Sequence, residues 1–483
     1  MTQPNPTLYQ VNPQDMGLTG KETELFNLLL ATWQRHLPGN IRNESYYEGK
    51  VQPAWTSSDK APSDMRDLRV VVGWGAKAVD ALAARSVLTG VTSDGGTAAS
   101  DFESAIGGID LSSLYDQAVT SELTDSCSFL TVSHGMTGEP DAIVSAHSAM
   151  DAAAIWDTRK KRIKAGISVI DIAEDSSGMR HPTWVVMYTD DYTYSCRRMD
   201  SGKWVAERVE NPLGRPLMES LRYAPSLTRP FGKSRINRTV RSLIDRAMCV
   251  ASRTEVSATF YTWPQRYLLG VDKKTQQELA GRKLEHYVDR LLLVSNNRNG
   301  DTPQYGQLSQ MSMTPHVEHM QQLAKQFAGE TCVPLNSLGI VQDNPSSAEA
   351  MYAAQNDLII EAERVNRANA DAMRNVCLMA LAAVRPNGEL TDEDRSIAVR
   401  FANPVRPSMA ARADFAMKVA SVVPSYGQTP YYWRDLGYDE TDTQGIMKAI
   451  RYAAAQQAVA QAQAAAAQSA PEPAPEGGTP DED

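Results

Sequence analysis

Asn344-Pro345-Ser346-Ser347-Ala348-Glu349-Ala350 reads as a loop that ends abruptly in a long helix. Pro345 closes the loop, Ser346 is a good N-cap, and Glu349 stands three residues on to complete a capping box. Beyond it Leu358, Ala362, Val365, Ala368, Ala372, Val376 and Ala380 recur at spacings of three and four, whereas Glu361, Glu363, Arg364, Arg367 and Arg374 fall mostly elsewhere. One stripe therefore packs and the other faces are wet. At 1.5 Å per residue, a helix from Ser346 to Val384 reaches roughly 55 to 60 Å, more than the breadth of a small domain. Such an element crosses or lines something large, or else belongs to an ordinary all-α enzyme.

The chain of 483 residues, 42% hydrophobic, has material for sizeable cores in two to four domains. Its five cysteines (Cys127, Cys196, Cys249, Cys332, Cys377) are far apart and form no C-x-x-C pair, so neither a disulfide framework nor a cysteine zinc site is expected. The polar first residues suggest no signal peptide, and no run approaches eighteen apolar residues. A net charge of -10 argues against tight binding of nucleic acid, which depends on Lys and Arg against phosphates, but it permits loose passage of DNA.

Working outward, Thr19-Gly20-Lys21-Glu22 is a second capping box, with Leu25, Leu28, Leu29 and Trp33 as the apolar face and Pro38-Gly39 as the stop. Strands are expected over Cys127 to Ser133, Ala142 to His147, Thr183 to Tyr188, Tyr192 to Arg197 and Lys203 to Val209, an antiparallel meander. From Ser234 the period turns helical, through Ile236, Val240, Leu243, Ile244, Ala247 and Met248, until Pro264. A small mixed unit, a shorter helix from Pro315, a strand near Ser396 to Phe401 and two last helices complete an α+β, helix-rich chain. Residues 469–483 carry five acids, four prolines and no base, and should be disordered.

Several segments, in this order, resemble the portal proteins of tailed bacteriophages, the group with a Gp6-like portal fold seen in phages of actinobacteria. They are Tyr46-Tyr47-Glu48-Gly49, then Val79-Asp80 with Ala84-Arg85, then Pro230-Phe231-Gly232-Lys233-Ser234-Arg235-Ile236. Pro264-Gln265-Arg266, Val333-Pro334 with Leu338-Gly339-Ile340, and the opening stretch follow. The resemblance implies a ring, typically of about twelve copies, at one capsid vertex, through which double-stranded DNA is packaged and ejected. It assigns residues 1–228 to an outer wing, 229–261 to a first stem helix, 262–312 to a clip and 313–328 to a second stem helix. Residues 329–345 become a tunnel loop, 346–407 the long helix and return to the wing, and 408–468 crown helices. Implied partners are further copies of the chain, a terminase motor, a head-tail connector and a major capsid or scaffold protein. The implied location is the virion, after assembly in the host cytoplasm. A long helix packed on copies of itself would explain the alanine-rich stripe.

On this reading Asn336, Gln342, Asp343 and Asn344 of the tunnel loop face DNA. Lys233, Arg235, Arg238 and Arg241, with Arg246 and Arg253, either line the channel or, the favoured alternative, form intersubunit ion pairs with Asp245 and Glu255. No catalytic, cofactor or metal residues are assigned. The rival is Val70-Val71-Val72-Gly73-Trp74-Gly75-Ala76-Lys77-Ala78, which fits a strand followed by G-x-G-x-x-A, with Asp94 about twenty residues on. A dinucleotide-dependent oxidoreductase would hold a pyrophosphate at Gly73 and Gly75. The bland alternative there is a helix that begins before Val70 and packs through Val71, Val79 and Leu82. A further alternative is another virion connector or minor capsid protein. His316 and His319 stand at i and i+3, with no third metal ligand nearby. Asp190-Asp191 and Asp392-Glu393-Asp394 read as turn or helix-start acids.

Overall fold

Helix α1 (Gly20–Tyr47) opens with the expected box: Glu22 N–H donates to Thr19 Oγ1 at 3.4 Å and Thr19 N–H to Glu22 Oε2 at 2.6 Å. In this computed structural model the described residues are 17–51, 70–94, 96–174, 180–199, 201–262, 266–269, 277, 304–307, 312–340, 355–405, 409–438 and 440–468. They form two compact units, divided after Pro404.

Pro38 does not stop α1, which runs on to Tyr47. A proline inside a helix loses one hydrogen bond and crowds the preceding turn. Here tertiary contacts on both sides of it hold the helix in place. Trp33 Nε1 donates to Met150 O at 2.7 Å, Asn40 Nδ2 to Ala149 O at 2.8 Å, and Arg241 to Asn43 Oδ1 at 2.8 Å. The buried face is Phe26, Leu29, Leu30, Trp33 and Leu37, rotated from the expected one so that Leu28 is exposed.

That face covers a five-stranded antiparallel sheet in simple sequence order: β4 (Ala152–Asp157), β5 (Arg162–Glu174), β6 (Arg180–Tyr188), β7 (Tyr192–Arg198) and β8 (Trp204–Glu210). Alternation carries the packing, since Tyr194 and Cys196 of β7 point into the α1 core while Thr193 and Ser195 do not. Phe26 meets Trp204 edge-on, with ring centroids 6.1 Å apart. A second antiparallel sheet orders β3 (Ala142–Ser148), β2 (Cys127–His134) and β9 (Met218–Arg222). Its central strand β2 is buried on both faces over its first six residues, with Leu130 and Val132 in the main core and Cys127 and Phe129 in a smaller cluster against β4 and β5.

The main core joins α2 (Trp74–Ala83), α3 (Ala98–Ala105) and α4 (Leu111–Asp125) to that sheet. It also takes in α5 (Arg238–Thr262), α6 (Thr314–Thr331) and α7 (Asn356–Val384). Helix α4 is capped by Asp110, whose Oδ1 accepts from Ser112 N–H and Ser113 N–H. Helix α5 begins at Arg238 rather than Ser234, although Ile236, Val240, Leu243, Ile244, Ala247 and Met248 are all buried as the period requires. Strands β10 (Arg266–Leu269) and β11 (Gln304–Gln307) pair antiparallel between α5 and α6. Far apart in the chain, β1 (Leu88–Thr92) pairs with β12 (Ala398–Phe401), which follows the short α8 (Asp392–Arg395).

The capping box at Ser346 and Glu349 lies outside the described residues, but 29 residues of the long helix are described. Its stripe is buried within one chain, against α3, β2, β3 and β9: Ala362, Val376 and Ala380 are fully buried, and Leu358, Val365 and Ala372 nearly so. The expectation that this stripe packs on copies of itself is therefore wrong. Small side chains let the helix sit close on its own sheet and on α3.

The second unit contains α9 (Met409–Val422), α10 (Pro430–Leu436) and α11 (Glu440–Gln468). Tyr426, Tyr432, Trp433 and Tyr438 form a chain of edge-to-face rings with centroids 5.2 to 5.8 Å apart. Gly437, at φ +101, ends α10 in the left-handed region that favours glycine.

Candidate functional site at the junction of α5, α6 and α7

Between β9 and α5 the chain runs through Pro230-Phe231-Gly232-Lys233-Ser234-Arg235-Ile236, laid across the end of α4. Arg235 N–H donates to Leu123 O at 2.8 Å and Ser234 Oγ to Thr124 O at 2.5 Å. Phe231 lies between Phe129 and Trp156, with centroids at 6.0 and 5.7 Å. Gly232 has φ +78, and a Cβ there would stand 2.2 Å from Tyr223 O, so both its conformation and its space require glycine.

Arg235 is 4% exposed. Its Nε donates to Ala78 O of α2 at 2.5 Å and its Nη2 to Thr331 O at the end of α6, also at 2.5 Å. Its Nη1 donates to Tyr223 Oη at 3.0 Å and forms an ion pair with Glu361 of α7 at 2.5 Å. Tyr223 Oη in turn donates to Glu361. Burial works against the charge of Arg235, but the Tyr223 and Glu361 oxygens outweigh it and raise the pKa. One guanidinium thus fastens α2, β9, α6 and α7 where the α5–α6 excursion leaves and rejoins the rest of the unit. Arg235 cannot face a channel from this position.

The other basic residues are dispersed. Lys233 and Arg238 are exposed, the first in the turn before α5 and the second at its start. Arg241 donates to Asn43 Oδ1 and, at 2.6 Å, to Ile236 O. Asp245, expected to pair with these bases, accepts a hydrogen bond from Tyr46 Oη at 2.8 Å. Burial first, and then Asp245, push that phenol up to about 12. Arg238 and Arg246 flank an open groove of about 600 Å³ between α5 and α6, with Gln326 and Glu330 opposite.

After α6, Cys332 takes a left-handed turn at φ +55, Val333 is buried, and a short 3-10 helix over Leu335–Leu338 carries Asn336 on its exposed side. Gln342, Asp343 and Asn344 lie outside the described residues. His316 Nε2 shares a hydrogen bond with Ser257 Oγ at 3.0 Å, across α6 and α5. Among the described residues no three His, Cys, Asp or Glu side chains come together as metal ligands.

The fingerprint at Gly73 and Gly75 has another cause. Among the described residues Val70, Val71 and Val72 are neither strand nor helix; α2 starts at Trp74, whose ring lies 5.0 Å from that of Phe327. Val71 is exposed, while Val79 and Leu82 are fully buried as expected. A Cβ at Gly75 would stand 2.1 Å from Tyr46 O, so this glycine lets α2 touch the end of α1. Nothing lies within 4 Å of a Cβ at Gly73. With every named strand pairing antiparallel, the repeated parallel units of a dinucleotide fold are missing among the described residues.

A family model described as phage portal protein, SPP1 Gp6-like, matches residues 27–426. The chain belongs to this portal family. It is 26% identical over 397 residues to the portal protein of Mycobacterium phage L5, covering 78% of each chain. To the portal protein of Mycobacterium phage D29 it is 28% identical over 267 residues, 53% of each, so the match spans about half the length of that relative. Among solved structures, a chain in the neck of an empty gene transfer agent particle overlaps 80% of this chain and 96% of its own length, at 13% identity and TM-score 0.44. A chain of the native gene transfer agent virion gives 83%, 99%, 13% and 0.43. In this portal-family chain the partners of Arg235 had no mark in the sequence: Glu361 sat on a helix face read as wet, and two of the acceptors are backbone carbonyls.

Proposed function

We propose that the chain is the subunit of a ring at one capsid vertex, a conduit through which double-stranded DNA enters and leaves the head and to which the tail is joined. The observation that carries this is the family match across residues 27–426. The acidic balance of the chain suits a channel that must not grip phosphate. In this reading residues 1–228 are the wing. The stem helices correspond to α5 and α6, a few residues offset from 229–261 and 313–328, and residues 262–312 between them form the clip. The segment 329–345 approaches DNA, 346–407 returns to the wing, and 408–468 form the crown. The working partners are further copies of the chain, a terminase motor that supplies ATP hydrolysis, a head-tail connector, and a capsid or scaffold protein. Assembly takes place in the host cytoplasm, and the part this chain plays is structural rather than catalytic.

Negative-stain electron microscopy of the purified full chain, with mass measured on the same sample, tests the reading. Rings with a central channel at about twelve times 52.9 kDa are expected. A monodisperse monomer that stays monomeric with scaffold protein present would count against it, in favour of another virion component.

A further inference from the structure

An open cleft of about 490 Å³ lies between α1 and α4, beside the turn from β3 to β4. Its walls include Glu44 and Tyr47 of α1 and Asp116, Thr120, Ser121 and Asp125 of α4. Asp125 is only 4% exposed, yet its Oδ1 has no hydrogen-bond partner, and neither has Ser121 Oγ. A buried carboxyl left in that state costs free energy that an incoming donor would recover. The charges acting on Asp125 are those of Glu44 and Asp151, and on Asp116 that of Asp110, all negative. Lys50 acts on Glu44 but is itself ion-paired with Glu48. The carboxylates are too dispersed to make a metal site among the described residues.

We infer that this cleft receives a lysine or arginine side chain from a neighbouring copy of the chain. The inference rests on the ring reading, because a closed ring requires every subunit to present two different, complementary faces. The cleft supplies a concave acidic half of such a contact. Exposed bases such as Lys233 and Arg238 show that the chain carries the complementary chemistry on its surface. Dispersed carboxylates and hydroxyls around a buried acceptor suit an elongated cationic side chain better than a compact ion.

Proton linkage gives the contact a signature. In the free subunit burial first, then Glu44 and Asp151, push the Asp125 carboxyl up to about 8, so it is protonated at pH 7. A cation beside it favours the carboxylate. Ring formation at pH 7 should therefore release protons and tighten as pH rises toward 8.

The test is a cryo-electron microscopy reconstruction of rings of the full chain at pH 8, with ring-to-subunit equilibria for two variants. A neighbouring Lys or Arg nitrogen within about 3 Å of the Asp125 carboxylate is expected. Asp125→Asn should raise the concentration at which rings half-dissociate by about 10-fold or more, with no fall in the melting temperature of the free subunit. Asp116→Lys, at the exposed rim, should block assembly by filling the cleft from within. Rings whose cleft holds only water or a segment of the same chain, or rings that form normally with Asp116→Lys, would overturn the inference and leave the ring reading intact. Failure to form any ring, with scaffold protein present as well, would overturn both.

Discussion

Arg235 shows how much a single side chain can decide when four acceptors converge on one rigid fork. Removing it strands Glu361 beside Tyr223 in a buried site, and loss of one partner of a buried pair typically costs about 3 to 5 kcal/mol. Arg235→Met should therefore lower unfolding stability by that order in urea melts. Arg235→Lys should recover less than half, because one ammonium cannot reach Ala78 O, Thr331 O and Tyr223 Oη together. Glu122 makes the opposite case. It is fully buried, accepts from Asn369 Nδ2 at 2.7 Å, and leaves Oε1 unpartnered. Burial pushes its carboxyl up to about 8, so the folded chain binds a proton that the unfolded chain has lost above about pH 4.5. Stability should fall as pH rises from 4.5 through 8. Glu122→Gln should flatten that slope and match or exceed the parent at pH 8, as followed by thermal unfolding across pH. At the glycines the readings separate cleanly: Gly75→Ala should destabilise by about 1 to 3 kcal/mol through its clash with Tyr46 O, while Gly73→Ala should be nearly neutral. The letters G-x-G-x-x-A were plain in the sequence; the carbonyl that Gly75 must clear belongs to another helix, and no spacing rule reveals it.

At the scale of elements, periodicity was readable wherever one face is buried and the other wet. The strands around Tyr194, the core stripe of α5 and the capping box at Thr19 belong to this class, whereas Asp392-Glu393-Asp394, read only as turn or helix-start acids, open α8 behind a further box at Thr391. Elements covered on both sides were legible as elements but not as faces: a strand over Cys127 to Ser133 and a helix to Val384 were expected, yet β2 and the last turns of α7, where Met379 through Ala382 are all buried, give runs with no period to say which side meets which neighbour. Strands β4, β5 and β9 and helix α4 went unread for the related reason that their patterns are short or mixed, and the cap at Asp110 was their one local signal. Pro38 marks the limit of local rules, since α1 passes through it on the strength of Trp33, Asn40 and Asn43. Pro38→Ala should raise the melting temperature, by up to about 3 kcal/mol of restored helix stability. A lower melting temperature would show that Pro38 itself helps place those contacts.

For the whole molecule, the ring reading makes the segment after α6 the place to intervene. Shortening residues 336–344 in a chain that still forms rings should reduce the yield of DNA-filled particles or their infectivity; unchanged values for both would remove this segment from any role in DNA passage. Of the basic residues, Arg235 and Arg241 serve the subunit's own architecture, which a list of lysines and arginines in sequence could not disclose. The clasp at Arg235 has one more consequence. Because Arg235 and Thr331 touch, everything between them is an excursion with its two ends fixed at one point. Such an arrangement is modular in the evolutionary sense: recombination can exchange or lengthen the stretch beyond the core residues of α5 and α6 at little cost to the two sheets and their covering helices. That stretch can then diverge to follow changing neighbours while the body that holds it stays under strict constraint.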